Sequence, residues 1–367
     1  MSVQVSYKKQ TLFGIILLLC VFSIFETGSR FYEFFLQDCG IDEYDYFLTR
    51  YICYDQQSMV YQNQPVLTMI PNQHLTTINI NNEGFRGVEI NVSKTNNDYR
   101  IIMIGGSTVF GAGMPNDNLT IPYQLNKKFE EKYNNVEVIN AGISSITSFE
   151  ELYHFKEKLI HLEPNLVIIY DGANNVHQKR TSDHEILNTD KDELEMKDFQ
   201  KYLRTPVVMY RHVLLPIINS GALNTLDVTG IFTTSNSSIH SSSQIPQLIT
   251  SLWYDHIKEF CQISNEKQIK SIVIIQPSLD QDKKSLSDYE YSIYRKNILD
   301  KKIFDMLIQK SEKLTNCSGV YDFTNVFENT DFSVYIDRVH LNELGNKMIA
   351  NNIYEKILPI VLEDISK

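Results

Sequence analysis

Between residues 99 and 358 the chain alternates two kinds of hydrophobic pattern. Short, nearly uninterrupted apolar runs occur at Arg100–Ile104, Val136–Ile139, Leu166–Tyr170 and Ser271–Ile275. A run without polar alternation predicts a strand buried on both faces, as in a parallel sheet. Between and after these runs lie segments with helical spacing: Pro122–Tyr133, Phe149–Leu162, Pro246–Cys261, Ile303–Leu314 and Asn342–Leu358. In the second, Leu152, Phe155, Leu159 and Ile160 fall on one side; in the last, Leu344, Met348, Ile349 and Ile353 do. Strands that alternate with helices of this length imply right-handed crossovers and a sheet covered on both faces. The expected fold class is therefore α/β with a central parallel sheet.

Two regions depart from the alternation. Gln10–Phe25 is an uncharged apolar stretch, preceded by Lys8 and Lys9 and followed by Glu26, Arg30 and the aromatics Phe31, Tyr32, Phe34 and Phe35. Its 16 residues make a helix of about 24 Å, and extension past Glu26 with a snorkelling Lys9 spans the bilayer core of about 30 Å. The segment reads as a transmembrane signal anchor over residues 1–30 that uses the lipid bilayer as partner. A cleaved signal peptide is the alternative, although only Thr27 and Ser29 offer a weak cleavage site. The lysines before the segment place the N-terminus in the cytoplasm and the rest of the chain outside the cell membrane. Residues 31–98 show no period and read as a stalk and small N-terminal layer, which ends in the turn Asn82–Gly87. The remainder, 99–367, forms one domain with an insertion at 178–245, acidic first, then apolar, and finally rich in Ser and Thr.

Composition narrows the picture. Of 367 residues, 45 are acidic and 34 basic, a net charge of −11 that argues against a nucleic-acid partner. Beyond Cys20 in the apolar segment, four cysteines remain, and proximity favours the disulfides Cys39–Cys53 and Cys261–Cys317. Sequons at Asn91, Asn118, Asn236 and Asn316 agree with an exported domain. No Cys/His cluster has the spacing of a structural zinc site.

Candidate chemistry sits at the strand ends. Ser107 follows the first buried run in IIMIGGSTVFGAG, where open α/β folds place ligands. The phosphate-loop and dinucleotide glycine patterns are unmatched there, and so is the G-x-S-x-G elbow. Asp337-Arg338-Val339-His340 precedes the last helix, with Asn342 as its N-cap. Asp and His three residues apart allow one turn to bring the carboxylate to one ring nitrogen and leave the other for a serine. Gly142 in NAGIS can offer a bare backbone N–H, and Asn174 in DGANN a side-chain amide, to an oxyanion.

In order and context, Ser107, Gly142, Asn174 and Asp337 with His340 resemble the Ser, Gly, Asn and His blocks of the SGNH (GDSL-like) hydrolases. The resemblance covers about residues 99–358. Gly106 stands where the family has the Asp of G-D-S, and Asn175 where it has the Asp of G-x-N-D. The resemblance implies a flavodoxin-like α/β/α sandwich and a serine esterase. In it Ser107 is the nucleophile, His340 the base and Asp337 its partner, with Ser107, Gly142 and Asn174 as oxyanion donors and no cofactor or metal. It further implies carbohydrate or lipid esters as substrates, such as acylated surface glycans. Two other readings of the same residues are a glycan O-acyltransferase and a catalytically silent binding module.

Overall fold

The computed structural model describes residues 6–36, 39, 41, 44–63, 65–95, 97–183, 203–209, 244–281 and 283–366. The chain divides into two compact units: residues 1–39 with 195–238, and residues 40–194 with 239–367.

The first unit is built on helix α1, Tyr7–Phe31, which continues as a π-helical turn over Tyr32–Leu36. This 30-residue helix is long and apolar enough to cross a membrane. Its flanks of Leu, Ile and Phe side chains are exposed from Leu12 to Phe25. At its far end Glu33 is buried and receives Arg204 through Nε (2.6 Å) and Nη2 (2.9 Å). Glu26 accepts from the backbone N–H groups of Arg204 and Thr205, at 2.9 and 3.0 Å. Most of the insertion expected at 178–245 lies outside the described residues.

In the second unit, α2 (Tyr46–Ser58) starts at Asp45, whose carboxylate accepts from the Phe47 and Leu48 N–H groups. The hairpin β1 (Tyr61–Asn63) and β2 (Leu67–Met69) and the two-residue pair β3 (Gln73–His74) and β4 (Asn79–Ile80) follow. Their apolar residues, Met59, Leu67, Met69, Ile78 and Ile80, close a small core with Phe110, Ile143 and Ile146. Phe110 lies in the short helix after the first strand of the main sheet, and Ile143 and Ile146 in the loop after the second, so this layer packs against the ends of those strands.

The main sheet contains β5 (Tyr99–Gly105), β6 (Val136–Asn140), β7 (Leu166–Asp171), β8 (Lys270–Ile275) and β9 (Gly319–Asp322), in the order β6-β5-β7-β8-β9. All four pairings are parallel, with Gly105 opposite Tyr170 and Asp171 opposite Ile275. Residues alternate between two cores. Ile102, Ile104, Val167 and Ile169 face one; Ile101, Met103, Leu166, Ile168 and Tyr170 face the other. Both faces are dry, which is why the strands carry no polar alternation.

Helices cover both faces. The helices of this unit after β5 are, in chain order, α3 (Ser107–Phe110), α4 (Ile121–Glu130), α5 (Ser148–Glu157), α6 (Ala173–Gln178), α8 (Ile245–Glu266), α9 (Asp288–Ile293), α10 (Ile298–Ser311) and α11 (Glu343–Ile365), while α7 (Thr205–Met209) belongs to the first unit. Side chains of α5, α8 and α10 fill one core and those of α4 and α11 the other. The architecture is a three-layer α/β/α sandwich with a flavodoxin-like strand order.

The helix predicted over Phe149–Leu162 is in fact two. Lys158 leaves helical geometry (φ −130°), its ammonium 4.4 Å from the Phe85 ring centroid, and Leu159–Leu162 continues as a 3₁₀ turn. The final helix runs past its predicted end through Pro359 and buries Val361. The fifth strand, β9, has no counterpart in the apolar pattern because it is a partly exposed edge strand of four residues. Cys261 of α8 and Cys317, just before β9, form a disulfide. Cys39 and Cys53 are also both disulfide-bonded, and Cys20 is a free thiol.

Candidate active site

Ser107 is the first residue of α3, turned out of the sheet by Gly105 and Gly106. A Cβ at Gly105 would lie 2.4 Å from the Tyr170 carbonyl oxygen, so strand and turn meet with no room for a side chain. The four-residue α3 is held at its far end by a residue from the N-terminal layer. Arg86, buried and ion-paired to Asp117 (2.7 Å), donates to Phe110 O and Gly111 O at 3.3 and 2.7 Å. Gly111 then ends the helix in the left-handed region (φ 91°).

The Asp337–His340 turn is closed by Ile336, whose N–H donates to His340 O (2.9 Å), and by a bridge between Tyr335 and Leu341. Buried Glu290 accepts from the Val334 and Tyr335 N–H groups, and Tyr289 donates its hydroxyl to Ile336 O. Within the turn, Asp337 Oδ1 accepts from the Val339 and His340 N–H groups at 2.8 and 2.7 Å. Asp337 Oδ2 is 2.6 Å from His340 Nδ1, and His340 Nε2 is 2.7 Å from Ser107 Oγ. An ionised carboxylate only accepts, so the proton lies on Nδ1, and Nε2 accepts from the Ser107 hydroxyl. Asn342 caps α11 by accepting from Gly345 N–H, which fixes where the turn ends.

The electrostatics follow from this arrangement. Burial alone would raise the Asp337 carboxyl, but His340 and the two backbone donors outweigh it and hold it at about 2. For His340, burial pulls the imidazole down, while Asp337 beside it pushes harder and raises it above the ordinary 6.5.

Asn174 is the second residue of α6. Its Nδ2 donates to Ile146 O (2.7 Å), which leaves a second N–H on the same nitrogen. A Cβ at Gly106 would come within 2.2 Å of Asn174 Nδ2, so the amide lies against the residue beside the serine. This explains the glycine at 106: a larger side chain there would occupy the Asn174 position. If Asn174 serves as an oxyanion donor, Gly106→Ala is expected to push the amide aside and lower kcat about 100-fold, the scale of one such donor lost, while Ser107 keeps its reactivity. Steady-state kinetics on an aryl ester measures it.

Gly142, expected as an oxyanion donor, lies in the loop after β6, beside α3. Its N–H donates to the Asn140 Oδ1 (3.0 Å), so it is engaged within its own loop. A Cβ there would lie 2.2 Å from Phe110 N and 2.6 Å from Val109 C, which makes Gly142 the contact point with the α3 backbone. The sequence reading passed over Ser145, a small residue in a left-handed turn (φ 70°) whose carbonyl accepts from Gln178 on α6 at 2.7 Å. Asn175 is likewise structural: its Oδ1 accepts from Ser148 N–H (3.2 Å) and its Nδ2 donates to Ser148 Oγ (2.9 Å).

No family model and no curated protein matches the chain. Among solved structures it is similar to the acetyl xylan esterase AlAXEase: 13% identity, 70% of this chain and 99% of that one, TM-score 0.42. It is similar to TesA at 11% identity, covering 71% and 98%, TM-score 0.41. A catalytic mutant of Axe2, an acetylxylan esterase from Geobacillus stearothermophilus, gives 14% identity, 72% and 96%, TM-score 0.41.

Proposed function

We propose that the chain is a serine esterase that works through a Ser107–His340–Asp337 triad. One observation carries the reading: Ser107 Oγ, both nitrogens of His340 and the Asp337 carboxylate form an unbroken hydrogen-bonded line of 2.7 and 2.6 Å. A serine, a base and an orienting carboxylate within that reach are the parts nucleophilic acyl transfer needs.

In this reading Ser107 Oγ attacks the ester carbonyl as its proton passes to His340 Nε2. The developing imidazolium is stabilised by Asp337, and the oxyanion is held by the Ser107 N–H and the Asn174 amide. His340 returns the proton to the departing alkoxide, which leaves an acyl group on Ser107. Water then attacks the acyl-serine and gives its proton to His340, which passes it to Ser107 Oγ as the acyl C–O bond breaks, so the carboxylic acid leaves and the triad is restored.

The substrate class we assign is O-acyl esters of carbohydrates or lipids, supported by the sequence resemblance and by the apolar α1, which we read as the membrane anchor. Lys8 and Lys9 before it support an N-terminus in the cytoplasm and the enzyme outside. The test is hydrolysis of p-nitrophenyl acetate by the full chain in detergent. The expected result is ester cleavage that an organophosphonate stops; no cleavage of any short-chain aryl ester would contradict it. The same assay with an added sugar, analysed for acylated product, separates water from a hydroxyl as acceptor.

A further inference from the structure

The triad turn contributes, besides Asp337 and His340, a charged side chain that the esterase reading leaves without a role. Arg338 lies between Asp337 and His340 and points toward two carboxylates. Its Nε and Nη2 both donate to Asp280 Oδ2, the first at 2.8 Å, and Nη2 is also 3.4 Å from Asp300 Oδ2. The Arg338 carbonyl is fixed as well, accepting from Leu279 N–H (2.9 Å) and Ser278 Oγ (3.2 Å) in the loop after β8.

Asp300, in the first turn of α10, has a side chain only 2% exposed. Its other oxygen pairs with Lys179 Nζ at 2.7 Å. Lys179 is the residue that ends α6, in a left-handed conformation (φ 54°), and α6 is the helix that starts with Ala173 and Asn174. One buried carboxylate thus touches the turn that carries His340 and the end of the helix that carries Asn174. In the esterase reading those two elements supply the base and an oxyanion donor, and among the described residues no strand pairing joins them.

A cation site was the competing reading. His177 Nε2 and the Asp280 and Asp300 oxygens lie within 4.8 Å of one another. Both carboxylates, however, already face a cation, Arg338 or Lys179, and a divalent ion would add two charges to a balanced group. Burial also holds the His177 imidazole below its ordinary value, so it adds no third charge.

We propose that Asp300 is a positioning residue: paired to Arg338 and Lys179, it locks the His340 turn and the Asn174 helix in register around Ser107. The inference rests on the esterase reading. A buried carboxylate bridging two cations is costly to break, because each partner is left uncompensated, and a base displaced by about 1 Å loses rate on the order of 100-fold. Ground-state binding does not depend on that register, so the effect falls on kcat.

The experiment compares Asp300→Asn, Arg338→Gln, their double variant and Arg338→Lys in the full chain, with thermal midpoints and kinetics on an aryl ester. Asp300→Asn and Arg338→Gln are each expected to lower kcat about 10- to 100-fold with KM within about twofold. The double variant should be no worse than the poorer single, and Arg338→Lys should restore at least part of the rate. Arg338 is about a third exposed, so Arg338→Gln carries the test if Asp300→Asn does not fold. Folded variants with wild-type kcat, additive losses in the double variant, or activity lost to a chelator and restored by zinc would each overturn the proposal. Activity that survives Ser107→Ala would instead overturn the esterase reading, so the two failures are distinguishable.

Discussion

Ser107→Ala is expected to lower ester turnover by about 10⁴-fold or more while leaving the fold intact. The magnitude follows from the geometry. Oγ is the atom of Ser107 that bonds His340 Nε2, at 2.7 Å, and removing it deletes the proposed nucleophile while the proposed oxyanion donors stay in place. Residual activity should match what those donors provide to attack by water. Packing should change little, because Ser107 is only half-buried and its backbone carbonyl still accepts from Gly111 N–H at 2.8 Å. A circular dichroism melt beside the rate measurement checks both halves of the expectation.

Asp337→Asn should lower kcat by about 10³- to 10⁴-fold, with a shifted pH profile as its signature. Catalysis needs neutral His340, so in the native enzyme activity rises with pH through an apparent pKa above 6.5, the direction Asp337 imposes. With Asn in its place the opposing influence, burial, prevails and the acid limb moves to lower pH. The amide can also present its N–H to Nδ1, which favours the tautomer that cannot accept from Ser107. A kcat/KM profile from pH 5 to 9 reads both changes: a lower plateau and an earlier rise. An acid limb that stays in place would mean that Asp337 does not set the His340 basicity.

Much of the sheet was legible in the sequence, and the reason is physical. Residues such as Ile101 to Ile104 are buried on both faces, so burial alone dictates an unbroken apolar run. The same logic hid β9, where edge exposure removes that constraint, and the N-terminal layer, whose strands of two or three residues are too short to show a period. Arg86 was invisible for a related reason: a lone arginine in a turn does not announce that it will be buried against the end of α3.

The site was legible where chemistry restricts the residue type. Asp and His three positions apart, before an Asn that caps a helix, can be recognised because one turn fixes their geometry. For Gly142 a sequence shows that a backbone N–H is available but not what it meets; in the fold Asn140, two residues away, accepts from it. The Arg338–Asp300–Lys179 network was beyond reach altogether. Its members come from three separate segments, and only the fold brings them together.

The most direct test is covalent. The intact chain, treated with a fluorophosphonate and digested, is mapped by tandem mass spectrometry. The triad predicts one stoichiometric adduct on Ser107, lost in Ser107→Ala and greatly slowed in a folded His340→Ala variant. An adduct on another residue, or labelling that persists without Ser107, would contradict it.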